Sequence, residues 1–216
     1  MVLDLLVPAR CAGCGARGVP CCAECARVWG SLTEVVRAPL TGLAPAYALA
    51  RYQGVAKRVL IAYKERGRRD VAPALGRVLA AALPALPQAA DPRAGPWCLV
   101  PAPSRRSASR LRGGPHVQRL AEATARCLAH TGKEVSVAPA LAVKGARDAV
   151  GLSRAERVAN LAGRLRFVPA GRPPPGSRVV VLDDVVTTGA TASACVRALT
   201  DAGVAVSAVV ALLAAG

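Results

Sequence analysis

A chain of 216 residues is long enough for one complete hydrophobic core and a small satellite module, so one main domain is expected. Hydrophobic residues make up 53% and aromatic ones 3%, which leaves little for stacking on bases, and the longest uncharged run, residues 202–216, is too short for a membrane-spanning helix of about 20 residues. The formal charge of +16 points instead to polyanionic partners, either a small pyrophosphate or a nucleic-acid backbone.

That charge is uneven: residues 1–50 hold 4 basic and 3 acidic groups, residues 51–119 hold 14 and 3, and residues 120–216 hold 11 and 7. The basic middle third is therefore the stretch expected to meet single-stranded DNA, if DNA is a partner. Abundant Ala, Gly, Pro and Arg also fit a coding bias, which weakens any argument from a single arginine. Met1 to Arg10 carries Asp4 within a short apolar stretch, unlike a secretory signal, and a cytoplasmic location is expected.

In chain order, Cys11 and Cys14 form one C-x2-C pair and Cys22 and Cys25 another. Two such knuckles set four thiolates around Zn²⁺, with Gly13 and Gly15 allowing a tight backbone. Cys21 is a spare that could replace Cys22. With all four ligands from protein, zinc there would hold the fold rather than catalyse. A disulfide is disfavoured in a reducing cytosol, and a redox pair would be expected beside a strand and helix. Residues 1–30 are read as this module and residues 31–50 as a linker with one strand, Ala46 to Arg51.

Val55 to Glu65 has apolar residues at helical spacing and Gly67 as a stop; Asp70 is placed to cap a second helix, with Pro73 in its first turn and Leu75, Val78, Leu79 and Leu83 facing the core. Lys64, Arg66, Arg68 and Arg69 make a basic corner that faces either phosphates or solvent. The proline-rich run Pro84 to Pro96 reads as an exposed connection. It leads to the strand WCLV, ended by Pro101, and to SRRSASRLRGGPH. A strand opening into an Arg- and Gly-rich loop suits a pyrophosphate, which makes Arg105, Arg106 and Arg112 candidates, beside Lys64.

His116 to His130 reads as a helix, with Val117, Leu120, Thr124, Cys127 and Leu128 on its apolar face and His130 at its end. Two histidines leave little for histidine-based acid/base chemistry. A short strand, Val135 to Val137, precedes polar residues suited to a lid. A helix from Ser153, with Glu156 completing a capping box, then carries Arg157 and Asn160 on a face that reaches substrate or solvent. Cys98, Cys127 and Cys195 are read as small buried apolar residues.

Val179 to Leu182 is a continuous apolar run, the mark of a strand covered on both faces of a parallel sheet. Asp183 and Asp184 are placed at its carboxyl end, where open α/β sheets bind ligands, and can hold sugar hydroxyls or a divalent cation. Val186, Thr187, Thr188, Gly189, Ala190 and Thr191 follow as a turn whose N–H groups and hydroxyls surround a phosphate at the start of a helix, Ala192 to Ala202. Val204 to Leu213 supplies one or two last strands.

Positions 179–191 resemble the phosphoribosyl diphosphate (PRPP) signature of the type I phosphoribosyltransferases. Together with the four cysteines, Tyr63-Lys64-Glu65-Arg66-Gly67, Val100-Pro101-Ala102-Pro103, Gly151-Leu152, Glu156-Arg157 and Asn160, they resemble the ComF family, phosphoribosyltransferase-like proteins of DNA uptake in natural transformation. The resemblance implies an α/β type I phosphoribosyltransferase fold over residues 51–216, a mostly parallel sheet flanked by helices, behind the zinc-knuckle module. It implies that Asp183 and Asp184 hold the ribose hydroxyls with Mg²⁺, that residues 186–191 wrap the 5-phosphate, and that Arg105 and Arg106 face the pyrophosphate. The expected activity is phosphoribosyl transfer from PRPP to a nitrogen nucleophile, with a competence helicase as a partner protein. The alternative is a non-catalytic PRPP sensor or single-stranded-DNA-binding accessory factor. Where many relatives have Arg-Gly-Phe-Asn-Gln, this chain has Arg112-Gly113-Gly114-Pro115-His116, and Asp148-Ala149-Val150 lacks a Gln often found there.

Overall fold

The computed structural model describes residues 9–91, 95–103, 114–143 and 164–216. Its centre is a six-stranded sheet built from β1 (Thr33–Glu34), β2 (Ala46–Arg51), β3 (Trp97–Pro101), β4 (Val135–Val137), β7 (Arg178–Val186) and β8 (Ala208–Ala214) in the order β1-β2-β8-β7-β3-β4. Every pairing is parallel except that of β1 with β2. A separate antiparallel pair joins β5 (Leu141–Val143) to β6 (Leu165–Phe167).

Alternation along β7 assigns the two faces. Val180 and Leu182 enter one core with Leu99, Val210 and Leu212, covered by α2 (Gly54–Glu65), α3 (Ala72–Ala82) and α4 (His116–His130) through Val59, Leu75, Leu79, Leu120 and Leu128. Val179 and Val181 enter the other with Cys98, Val100, Val209 and Ala211, covered by α5 (Ala190–Thr200) through Cys195, Val196 and Leu199. Both faces of β7 are thus dry. This explains why it reads as an unbroken apolar run, and the molecule is an α/β fold with a mostly parallel sheet flanked by helices.

Four local expectations change. β7 does not end at Leu182: Asp183 pairs with Ala211, Val185 with Leu213 and Val186 with Ala214, so both acids lie inside the strand, because β8 continues alongside it. Asp70 does not cap α3, whose flanking residue is Val71 with no side-chain cap; its carboxylate is taken by Arg68, with Nη2 at 2.8 Å. Helix α5 begins at Ala190, two residues before the expected Ala192. The run from Pro84 onward is not wholly exposed, since Leu86 is buried in the core beside Leu83. The 31–50 stretch supplies β1 and most of β2, which pairs with β8. The expected helix from Ser153 and the Arg-rich loop fall outside the described residues. Among those described, no helix is long and apolar enough to cross a membrane.

Candidate functional site

The carboxyl half of β7 carries the two acids. Asp183 and Asp184 are only 8% and 5% exposed, an environment that penalises a carboxylate unless it is paired. Asp184 is paired: its Oδ2 lies 2.6 Å from Lys64 Nζ, in the last turn of α2, and 2.6 Å from His116 Nε2, at the start of α4. Asp183 Oδ1 accepts the backbone N–H of Asp184 at 2.7 Å. The two carboxyls are driven apart in consequence. Burial alone would raise Asp184, but the His116 hydrogen bond and the Lys64 ammonium hold it well below the carboxylate range. Asp183, buried and next to that negative charge, is pushed up to about 8. At neutral pH the pair carries one negative charge and one proton.

Tyr63 braces the imidazole. Its hydroxyl donates to the His116 carbonyl at 2.6 Å, and the two rings meet edge-on with centroids 6.1 Å apart.

Directly after β7 the chain turns into α5 through Gly189, whose φ of 82° is the left-handed region. Thr187 and Thr191 are half-buried and Thr188 exposed, and Thr188 Oγ1 accepts the Ala190 N–H at 3.4 Å. Beneath the turn lies Arg37: its Nε donates to the Thr187 carbonyl at 2.7 Å and its Nη2 to the Ala215 carbonyl at 2.7 Å. A Cβ on Gly189 would stand 2.9 Å from Arg37 Cβ. Gly189→Ala is therefore expected to lose about 1–3 kcal/mol of stability in urea denaturation, from strained backbone and from displacing Arg37; an unchanged midpoint would contradict this account. Concave backbone N–H groups ahead of an eleven-residue helix suit an anion.

The second cluster lies in the N-terminal module. The sulfurs of Cys11, Cys14, Cys22 and Cys25 all lie within 4.8 Å of one another, and those of Cys14 and Cys22 are 3.7 Å apart. Tetrahedral zinc with Zn–S bonds of about 2.3 Å sets sulfurs ~3.8 Å apart, so the donor set fits such an ion. Burial pushes the Cys11 thiol up, but the backbone N–H groups of Cys22, Cys14 and Gly13 hold it at about 6, suiting it to act as a thiolate. Cys21 stays outside the cluster, its thiol directed to the Cys22 carbonyl at 3.9 Å. Of the two candidates, Cys22 is the one the backbone brings in. Gly13 is required for space, since a Cβ there would stand 2.7 Å from Cys25 Sγ. Arg58 Nε fastens the knuckle to α2 by donating to the Gly13 carbonyl at 2.8 Å.

Of the residues singled out in the sequence, Lys64, Asp183 and Asp184 are therefore brought together; of Val186 to Thr191, only residues 187–189 form the turn beside them, Val186 closing β7 and Ala190 and Thr191 opening α5. Arg105, Arg106, Arg112, Arg157 and Asn160 lie outside the described residues. Two groups escaped the sequence reading. His116 was passed over with the other histidine, and nothing local ties it to an aspartate 68 residues away. Arg37 fell in a stretch read as linker. The one available signal was the position of His116 just past a Gly-Gly-Pro turn, at the start of an amphipathic helix whose first turn faces the sheet.

The sequence matches no protein-family model, and no curated protein matches it.

Proposed function

We propose that this chain is a phosphoribosyltransferase-like protein of the ComF type that binds PRPP with Mg²⁺ and transfers phosphoribosyl to a nitrogen acceptor. The observation that carries the reading is the buried Asp183–Asp184 pair on the central strand, followed at once by the Gly189 turn and helix α5. Acids that can accept sugar hydroxyls are followed in the chain, across the turn at residues 187–189, by a helix start that suits a phosphate. The α/β sheet supports a type I phosphoribosyltransferase fold, with the site at the carboxyl edge of β7.

In this reading Asp183 and Asp184 hold the ribose hydroxyls, and residues 186–191 wrap the 5-phosphate. Carboxylate oxygens are hard donors of the kind Mg²⁺ takes; the ion would supply charge neutralisation for the departing pyrophosphate. Lys64 keeps Asp184 ionised before ligand arrives and adds positive charge on the pyrophosphate side. Transfer itself is positioning and electrostatics: the acceptor nitrogen bonds to the sugar carbon as the bond to pyrophosphate oxygen breaks. Arg105, Arg106 and Arg112 are the proposed pyrophosphate contacts, with Arg157 and Asn160 on the acceptor or lid side. The four cysteines would hold Zn²⁺ as a structural ion. Single-stranded DNA and a competence helicase are the proposed macromolecular partners, DNA being met by the basic middle third in a strongly salt-dependent way.

The test is calorimetric and thermal-shift titration with PRPP and Mg²⁺. Wild type should be stabilised and Asp183→Ala/Asp184→Ala should not be; equal shifts in both would remove the reading. Pyrophosphate release across a panel of bases and amines then separates transfer from binding alone.

A further inference from the structure

A single oxygen, Oδ2 of Asp184, receives two donors, Lys64 Nζ and His116 Nε2, each at 2.6 Å. Two donors converging on one oxygen fix the plane of a carboxylate that would otherwise rotate, and they leave Oδ1 as the oxygen neither of them holds. The imidazole is fixed in turn. It is 4% exposed, braced edge-on by Tyr63, with its own carbonyl held by the Tyr63 hydroxyl. Nε2 lies 2.6 Å from a carboxylate oxygen, which can only accept, so Nε2 is the donor of that hydrogen bond. Nδ1 is buried and has no hydrogen-bond partner among the described residues. An unpaired buried nitrogen is destabilising, so a histidine here is poorly explained as core filling. Among the described residues, its side-chain hydrogen bond is the one to Asp184.

We propose that His116 is a positioning residue, which through Nε2 sets the plane of the Asp184 carboxylate and thereby governs recognition of the sugar hydroxyls but not of the phosphate. The proposal rests on the reading of this site as a PRPP cradle. The two halves of that cradle are held by different groups in this chain: the turn at residues 187–189 by Arg37 and the start of α5, the Asp184 carboxylate by Lys64 and His116.

Glutamine and asparagine divide the imidazole between them, since a Gln amide nitrogen reaches about as far as Nε2 and an Asn amide about as far as Nδ1. The full-length protein would be titrated calorimetrically with PRPP and Mg²⁺, and separately with inorganic phosphate. His116→Gln should keep PRPP affinity within about threefold, while His116→Asn and His116→Phe should lose tenfold or more, a lost hydrogen bond to a charged group being of roughly that size. Phosphate affinity should be unchanged in all three. Equal losses in Gln and Asn variants, or a parallel loss of phosphate binding, would overturn the proposal. If wild type does not bind PRPP, the reading of the site falls, and the positioning role is judged by nitrogen NMR of the unliganded protein. An Nε2-protonated ring whose signal shifts in Asp184→Asn supports it, and an Nδ1-protonated ring overturns it.

Discussion

Asp184→Ala is expected to lower folding stability by about 3–5 kcal/mol at neutral pH, because it removes the carboxylate oxygen shared by a half-buried ammonium and a buried imidazole. Asp183→Asn, one residue away, should act in the opposite direction. The sign follows from protons. Asp183 is raised in the folded protein from an ordinary 3.8 to about 8, so between those values the unfolded chain has released a proton that the folded one keeps, and stability falls as pH rises through the window. Asparagine removes that dependence, and its advantage over wild type should grow from about pH 4 to about pH 8. Asp184 is lowered in the folded protein; its contribution is present above the ordinary carboxylate value and disappears as pH falls below it. Urea denaturation without added Mg²⁺ reads the Asp183 effect between about pH 4 and about pH 8 and the Asp184 effect only below about pH 4. A destabilising Asp183→Asn at the alkaline end would mean that Asp183 is ionised in the folded protein.

Removing the metal from the cysteine cluster should be comparably costly. Cys11 and Cys25 are 3% and 4% exposed, and the module packs on the main core through Trp29, with Ala12, Val28 and Leu32 beside it. So small a unit has little core of its own and would depend on a bound ion if zinc is held there as proposed. Purified protein should contain about one zinc per chain. Cys25→Ser should lose it and lower the melting temperature by roughly 10 °C, taking about 3–5 kcal/mol at ~2–4 °C for each in a chain of this size. Cys21→Ser should keep both metal and melting temperature. Zinc retained in Cys25→Ser but lost in Cys21→Ser would mean that the ligand set has been misassigned.

What the sequence made legible follows the range of the interactions. The β7 core, the helix after it and the cysteine pairs are written in contiguous residues, so apolar runs, small-residue turns and C-x2-C spacing were enough. α2 and α4 were also found by their apolar periodicity. The end of β7 was not, because two aspartates look like a strand terminus unless it is known that β8 extends beside them. Asp70 looked like a cap, but Arg68 two residues earlier competes for its carboxylate. His116 and Arg37 were missed for a stronger reason: each gains its meaning from a partner far along the chain, Asp184 for one and the carbonyls of Thr187 and Ala215 for the other. A polar residue with one distant partner leaves no periodic trace.

The strand order has a kinetic consequence. β8 is made after every other described strand, yet it lies between β2 and β7, pairing Ala46 with Val209 on one side and Leu182 with Val210 on the other. Before residues 208–214 are synthesised, the early strands and the strand bearing the two acids have no shared neighbour, and each leaves an edge open. Chain closure over more than 150 residues between Ala46 and Val209 is slow compared with hairpin pairing. During synthesis, the edge of β7 that bears the two acids is therefore completed only with β8, and the unpaired flank of β2 is where a nascent chain of this protein would be most exposed to association with another.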